Sequence, residues 1–323
     1  MSHPPVAMGI IGAGIMGERM LGAALDHASH AVRVAGIWDP APAALDRIRA
    51  RFPAAPILSD SASLIAASDC AYIASPPASH LGHARAALAA GKSVFVEKPL
   101  AVDLADARAF VAEAGDRGAV NFPFASSLGV ETLRRWIGEG AVGRPLRIAI
   151  EVSFATWPRS WQADAAGWLD RRPEGGFTRE VVSHFLFLSR RLGGPLAGLE
   201  GRAEFPEPGR SERRVAATLT AGGIPVSLAG TVGGTDRDDH NTWLIEGEAG
   251  AVRLRDWAIA ERRAPDGTFH PAPDALPNEK GRPIALRRQL EGVARLARGE
   301  PHRLATMQEA FEVQEIVEAV LAG

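Results

Sequence analysis

The chain has 323 residues, 46% of them hydrophobic and 23% charged, with a formal net charge of −2. That length supports two domains with cores of their own, and its evenly mixed charges offer neither a basic surface for nucleic acid nor an anchor for an anionic membrane. A single cysteine, Cys70, excludes an internal disulfide, no apolar run is long enough to span a bilayer, and the absence of a leader-like start makes the cytoplasm the expected compartment.

From Val6 onward strands and helices alternate. An apolar strand ends at Ile11, a glycine-rich turn follows, and a helix is expected over 15–25. A second strand covers 32–38, a helix 43–51, and a third strand 71–74, beside which Cys70 reads as a small core residue. An alanine-rich helix stops at Gly91, a strand covers 93–96, a helix 104–117 and a strand 119–122. Such alternation predicts a parallel sheet with helices on both faces, an α/β domain built from two mononucleotide halves and ending near residue 122.

Within the first turn, Gly12, Gly14 and Gly17 have the spacing of a diphosphate-binding fingerprint. Gly12 permits the turn, Gly14 lets backbone approach a phosphate, and Gly17 lets the helix pack closely on its strand. The helix start at Ile15 and Met16 then offers unpaired N–H groups and positive partial charge to an anion. Asp39, at the end of the second strand, stands where a carboxylate accepts hydrogen bonds from ribose hydroxyls and repels a 2′-phosphate. The implied cofactor is therefore NAD rather than NADP. Arg47 and Arg49 on the next helix could reach a phosphate, which would favour NADP, but a solvated face is the expected reading of both.

Beyond Pro123 the pattern changes, giving a second domain over 123–323. A helix at 130–139 ends in Gly140 and leads to a strand at 146–154, a tryptophan-rich loop at 157–176 and a helix at 178–192. Strands at 199–205, 213–219, 224–231, 241–247 and 251–255 predict a mostly antiparallel sheet, and helices at 284–298 and 306–321 close the chain. Glu180 and His184 are four apart on a helix, so the carboxylate can orient the imidazole and raise its proton affinity; an incidental polar helix face is the alternative. Lys98 follows a parallel strand at its carboxyl end, where α/β sheets place ligands and an ammonium can stabilise developing negative charge; a solvated loop lysine is its alternative. No cluster has metal-ligand spacing, so no metal is expected.

The glycine fingerprint, then Ser75-Pro76-Pro77 with His80, then Glu97-Lys98-Pro99, together resemble the Gfo/Idh/MocA oxidoreductases. Gly140 to Pro145, Glu246 to Gly250, and Gly175-Gly176 followed by Glu180 and His184 extend the resemblance over the chain. The resemblance implies a Rossmann domain followed by an α/β domain with an open, mostly antiparallel sheet. It also implies a homo-oligomer, dimer or tetramer, through that sheet, for which strands at 216–219 and 226–229 supply an apolar face.

By the same resemblance, Lys98 and His184 form the catalytic pair with Glu180 as companion, acting on a secondary alcohol or ketone, most commonly of a sugar or cyclitol. Cofactor contacts are implied for Gly12, Gly14, Ile15, Met16, Gly17, Asp39, Ser75, Pro76, Pro77, Glu97 and Lys98, with Glu97 facing the nicotinamide ribose. His80 either touches cofactor or braces the next helix. An imine or biliverdin-like reductase, or a nucleotide-binding sensor without chemistry, are the alternatives on the same scaffold. The chain departs from the pattern at Glu180, where Asp is usual, at Val182, where glycine is common, and at Pro123-Phe124, where many relatives carry Arg. Trp157, Arg159, Trp161 and His240 are candidate substrate-pocket walls, with a loop anchor or subunit contact as the alternative for the tryptophan-rich stretch.

Overall fold

The computed structural model describes residues 3–323, without the side chains of 163–165. The chain forms two compact units: the residues up to Ser126 with Pro283–Phe311, and Ser127–Arg282 with Glu312–Gly323. The first unit thus recruits a late segment that the boundary expected at 122/123 assigned to the second domain.

In the first unit the elements are β1 (Val6–Ile11), α1 (Ile15–His27), β2 (Val32–Trp38), α2 (Pro42–Arg51), α3 (Ser61–Ala66), β3 (Cys70–Ile73), α4 (Pro77–Ala89), β4 (Ser93–Val96), α5 (Leu104–Ala114) and β5 (Gly118–Val120). All residues of β1, β3 and β4 are buried, as expected of parallel strands covered on both faces. Asp60 and Asp103 start α3 and α5 by accepting the N–H of Ser63 and Asp106. The sheet order is β5-β4-β3-β1-β2, extended past β5 by the antiparallel two-residue strand Ala305–Thr306.

This departs from two complete mononucleotide halves. Where the first half would add a third strand beside β2, a single parallel bridge joins Ile57 to Ile37. The late segment earns its place by burial, since Leu286, Leu290 and Val293 of the helix Asn278–Ala297 pack into the same core as Met8, Ile10, Met20, Leu21 and Ile37.

The second unit contains α6 (Leu128–Gly138), β6 (Pro145–Phe154), α7 (Ala166–Leu169), α8 (Ser183–Gly193) and strands β7 (Leu196–Glu204), β8 (Arg214–Ala221), β9 (Ile224–Val232), β10 (His240–Gly247), β11 (Gly250–Arg255), β12 (Ile259–Arg263) and β13 (Phe269–Pro271). Their order is β13-β12-β11-β10-β6-β9-β8-β7, antiparallel apart from β6 with β9. Ile148, Ile150, Val152 and Phe154 of β6, Val215 and Leu219 of β8 and Val226 and Leu228 of β9 are buried. Gly230 interrupts β9 because a Cβ there would lie 2.6 Å from the Phe177 ring. α8 is anchored where the Trp243 Nε1–H donates to the Ser189 hydroxyl at 2.8 Å, both side chains being buried. The last helix, Met307–Ala322, ends in this unit.

Two of the sequence motifs meet here and brace one another. Ala249 donates its N–H to the Val142 carbonyl, Glu248 to that of Arg144, and the Arg144 guanidinium pairs with the Glu248 carboxylate. The expected apolar sheet face at 216–219 and 226–229 is not found. Strict alternation sends the larger apolar side chains inward and leaves Ala216, Thr218, Ser227 and Ala229 exposed. Among the described residues no helix is long and apolar enough to cross a membrane.

Cys70 is wholly buried, and burial, reinforced by the charge of Asp69, pushes its thiol up to about 12. The folded state therefore holds this proton more tightly than the unfolded state, so its contribution to stability falls as pH rises above the unfolded thiol's range. A thiol reagent at pH 8 should label the native protein not at all and the urea-unfolded protein stoichiometrically. Rapid native labelling would contradict this placement.

Candidate functional site

The first turn is fixed by backbone packed on backbone. Gly12 has φ of 102°, and a Cβ there would sit 2.5 Å from the Ala74 carbonyl oxygen; a Cβ on Gly17 would sit 1.9 Å from that of Gly12. Gly14 differs, because a Cβ there would meet nothing within 4 Å. It precedes α1, whose start carries no side-chain cap, so the N–H groups of the first turn face open space beside it. Ile15 is 40% exposed and Met16 half-buried. This arrangement fits the diphosphate of a dinucleotide.

Asp39 ties that turn to the next. Its Oδ2 accepts the Ala13 N–H and its Oδ1 the Ala41 N–H, both at 2.8 Å. Each carboxylate oxygen retains a second lone pair for a ribose hydroxyl. Arg49 pairs with Asp46 along α2, and Arg47 donates to the Ala43 carbonyl, which makes both the helix-surface residues that were expected.

The turns after β3 and β4 are joined by His80, which is 1% exposed. Its Nδ1 lies 2.9 Å from the Pro99 carbonyl and its Nε2 2.8 Å from the Ser75 carbonyl. Burial pulls this imidazole below its ordinary pKa, against the opposing effect of the carbonyls. His80 thus braces this corner: it links Ser75, which leads into Pro76 and Pro77 at the start of α4, to the Lys98–Pro99 turn.

Glu97, expected to face a nicotinamide ribose, is buried, and its Oε1 accepts hydrogen bonds from the Tyr72 hydroxyl and the Asn121 amide. Asn121 in turn accepts from the Gln289 amide. Burial and the Glu97 charge together push the Tyr72 hydroxyl well above its ordinary value, so it stays a donor. The network fixes the strand end from which the half-buried Lys98 projects. Gln289 was not singled out from sequence, although a glutamine on the stripe of Leu286, Leu290 and Val293 was the available signal.

In the second unit, Gly175 and Gly176 lead into the segment bearing Glu180 and His184. A Cβ on Gly175 would lie 2.2 Å from the Leu169 carbonyl oxygen, and one on Gly176, where φ is 103°, 2.2 Å from a Glu212 carboxylate oxygen. Glu212 is 1% exposed and its Oε1 accepts the Thr178 N–H at 2.6 Å, while burial raises its pKa. Thr178–Val182 is a π-helical turn, in which the Ser183 N–H reaches back to the Thr178 carbonyl, rather than the start of the plain helix expected at 178. Such turns recur at functional sites. The four-residue spacing of half-buried Glu180 and buried His184 straddles the change of winding. Val182, in place of the usual glycine, is fully buried.

Of the candidate pocket walls, Trp157 and Arg159 are both buried. Trp157 is buried, donates Nε1–H to the Leu169 carbonyl, and packs on Phe154 and Phe177, which makes it a loop anchor. Arg159 is 7% exposed and committed to Asp239 at 2.9 Å and to Gln162. Trp161 is 48% exposed with the Arg159 guanidinium stacked on it at 4.7 Å. His240 is held at 2.9 Å by Asp256. Sequence reading passed over Trp257, whose ring meets that of His184 edge-on at 5.5 Å between centroids; nothing in the surrounding Arg-Asp-Trp-Ala signals it.

Residues 6–123 match the family model described as the oxidoreductase family, NAD-binding Rossmann fold, of the Gfo/Idh/MocA group. No curated protein sequence matches the chain. Solved structures of the same fold include an oxidoreductase from Agrobacterium radiobacter in complex with NAD+, L-tartaric acid and magnesium, 21% identical, with 98% of this chain and 95% of that one covered at a TM-score of 0.79. The WlbA dehydrogenase from Bordetella pertussis, in complex with NADH and UDP-GlcNAcA, is 21% identical, covering 99% and 95% at 0.80. Levoglucosan dehydrogenase in complex with NADH is 20% identical, covering 98% and 96% at 0.82. Residues 6–123 thus carry the NAD-binding Rossmann domain of the Gfo/Idh/MocA oxidoreductase model, and the chain shares the two-domain fold of these solved structures along nearly its whole length.

Proposed function

We propose that this chain is an NAD-dependent dehydrogenase that interconverts a secondary alcohol and its ketone, the alcohol belonging to a sugar or cyclitol. The observation that carries the reading is the open space at Gly14 beside the α1 start and the Asp39 carboxylate, which suits an unphosphorylated ribose and a diphosphate. The substrate class is supported by two similar proteins, one solved with UDP-GlcNAcA and one named for levoglucosan.

Bound NAD supplies the hydride acceptor in oxidation, and NADH the donor in reduction. His184 takes the hydroxyl proton as the alcohol is oxidised and returns it to the oxygen in the reverse direction. Lys98 donates a hydrogen bond to the same oxygen and stabilises the negative charge that gathers there. Glu180 orients the imidazole. A homo-oligomer belongs to the same reading, with the small side chains Ala216, Thr218, Ser227 and Ala229 allowing sheets to approach closely; light scattering should give a mass of two or four chains.

Because a Cβ at position 14 meets no protein atom, Gly14→Val should fold normally yet weaken NAD binding by about tenfold or more, a loss of roughly 1.4 kcal/mol. Calorimetric titration beside a melting curve checks this, and unchanged affinity would count against the diphosphate site. For the chemistry, NADH absorbance should be followed over a panel of sugars, cyclitols, simple alcohols and imines. His184→Ala should lower kcat by about 10²–10⁴-fold with NAD affinity kept, and Lys98→Ala should lower kcat by about 10²–10³-fold. Turnover of imines alone would transfer the reading to an imine reductase, and turnover untouched by both changes would remove these residues from the reaction.

A further inference from the structure

Trp257 lies in the turn between β11 and β12 with φ of 69°, and Asp256 before it has φ of 47°. Two successive side-chain-bearing residues in the left-handed region are uncommon, and a bulky aromatic there is an outlier. Such a backbone persists only where its surroundings over-determine it, and they do so here. The Trp257 N–H donates to the Asn241 Oδ1 at 3.1 Å, and its indole Nε1–H donates to the Asp239 Oδ2 at 3.2 Å. The Asp256 carboxylate is gripped by His240, Arg237 and Arg255.

All of this holds one indole in one place. There it meets the His184 ring at 74° and 5.5 Å, and the Phe185 ring at 5.3 Å. The same Asp239 oxygen accepts the buried Arg159 Nη1–H at 2.9 Å. A chain of contacts therefore runs from the loop at 157–162, through Arg159, Asp239 and Trp257, to His184. A residue serving only to fill space could sit in a relaxed turn. The Ala258 N–H closes this turn on the Arg255 carbonyl, so the hairpin itself asks for left-handed backbone at both positions; a half-exposed tryptophan where glycine is the ordinary choice points to a demand on where its ring lies.

We propose that Trp257 is a positioning residue for His184. Its indole fixes the plane of the imidazole, and the Arg159–Asp239 pair fixes the indole, so that a single ring orientation is presented for proton transfer. The inference rests on the reading of His184 as the proton acceptor. Trp257→Leu removes the ring, whereas Trp257→Phe keeps an aromatic edge against His184 and loses only the bond to Asp239.

Trp257→Leu should lower kcat by about tenfold to a hundredfold while the KM for NAD is unchanged, and Trp257→Phe should recover most of the loss. In the unaltered protein, NMR of the His184 ring protons should show nuclear Overhauser contacts to the Trp257 indole and ring-current displaced shifts, both abolished in Trp257→Leu. The measurement on unaltered protein needs neither turnover nor a foldable variant. Absence of those contacts, equal losses in the Leu and Phe variants, or an undiminished kcat in Trp257→Leu beside an inactive His184→Ala would overturn this inference alone. Full turnover in His184→Ala would overturn the reading beneath it.

Discussion

A carboxylate accepting the N–H of a turn is the interaction on which both candidate site segments depend. Asp39 holds the glycine turn through Ala13, and Glu212 holds the start of the Glu180 and His184 segment through Thr178. Such charge-assisted bonds contribute about 1.5–3 kcal/mol each, more than the ordinary backbone bonds that a loop would otherwise rely on. Glu97 does the same with side-chain donors, gathering Tyr72 and Asn121 beneath Lys98. At Asp39 and Glu212 the neighbouring glycines, Gly12 and Gly176, let the backbone of the turn or the carboxylate itself come close.

Gly176 shows why the pairing has to be exact in shape. Its left-handed backbone removes the side chain that would occupy the Glu212 carboxylate, and the π-helical turn beginning two residues later adds an extra residue to the winding before His184. A longer Glu180 in place of the family's Asp falls within this widened turn. The lengthening of the side chain and the change of winding are thus local to the same few residues, and the imidazole that follows is buried, as are Val181, Val182, Phe185 and Leu186.

Much of this was legible in the sequence because it is periodic or rests on glycine. The strands of both sheets follow from runs of buried apolar residues or from alternation, and Gly12 and Gly17 announce backbone contact by having no side chain. What was hidden involves residues whose partners are remote. Ala305–Thr306 is too short to show a period, yet it completes the first sheet by pairing with β5. Glu212 sits in Ser-Glu-Arg-Arg, which reads as solvated charge until Thr178, 34 residues earlier, is seen to need an acceptor. β12, Ile-Ala-Glu-Arg-Arg, hides as a strand because the buried Glu261 is neutralised by Arg253 and Arg255 from the neighbouring strand. Trp157 and Arg159 were noticed for the right chemistry, but their groups are spent on the fold.

The proposed reaction requires the Lys98 amine and the His184 imidazole to serve one reacting carbon. A crystal structure with NAD and a slowly turned-over sugar alcohol tests this most directly. The account predicts the Lys98 Nζ and a His184 ring nitrogen both within about 3 Å of the same substrate oxygen, with the diphosphate against Gly14. Nitrogens directed at different cavities, or a diphosphate bound away from the glycine turn, would contradict it.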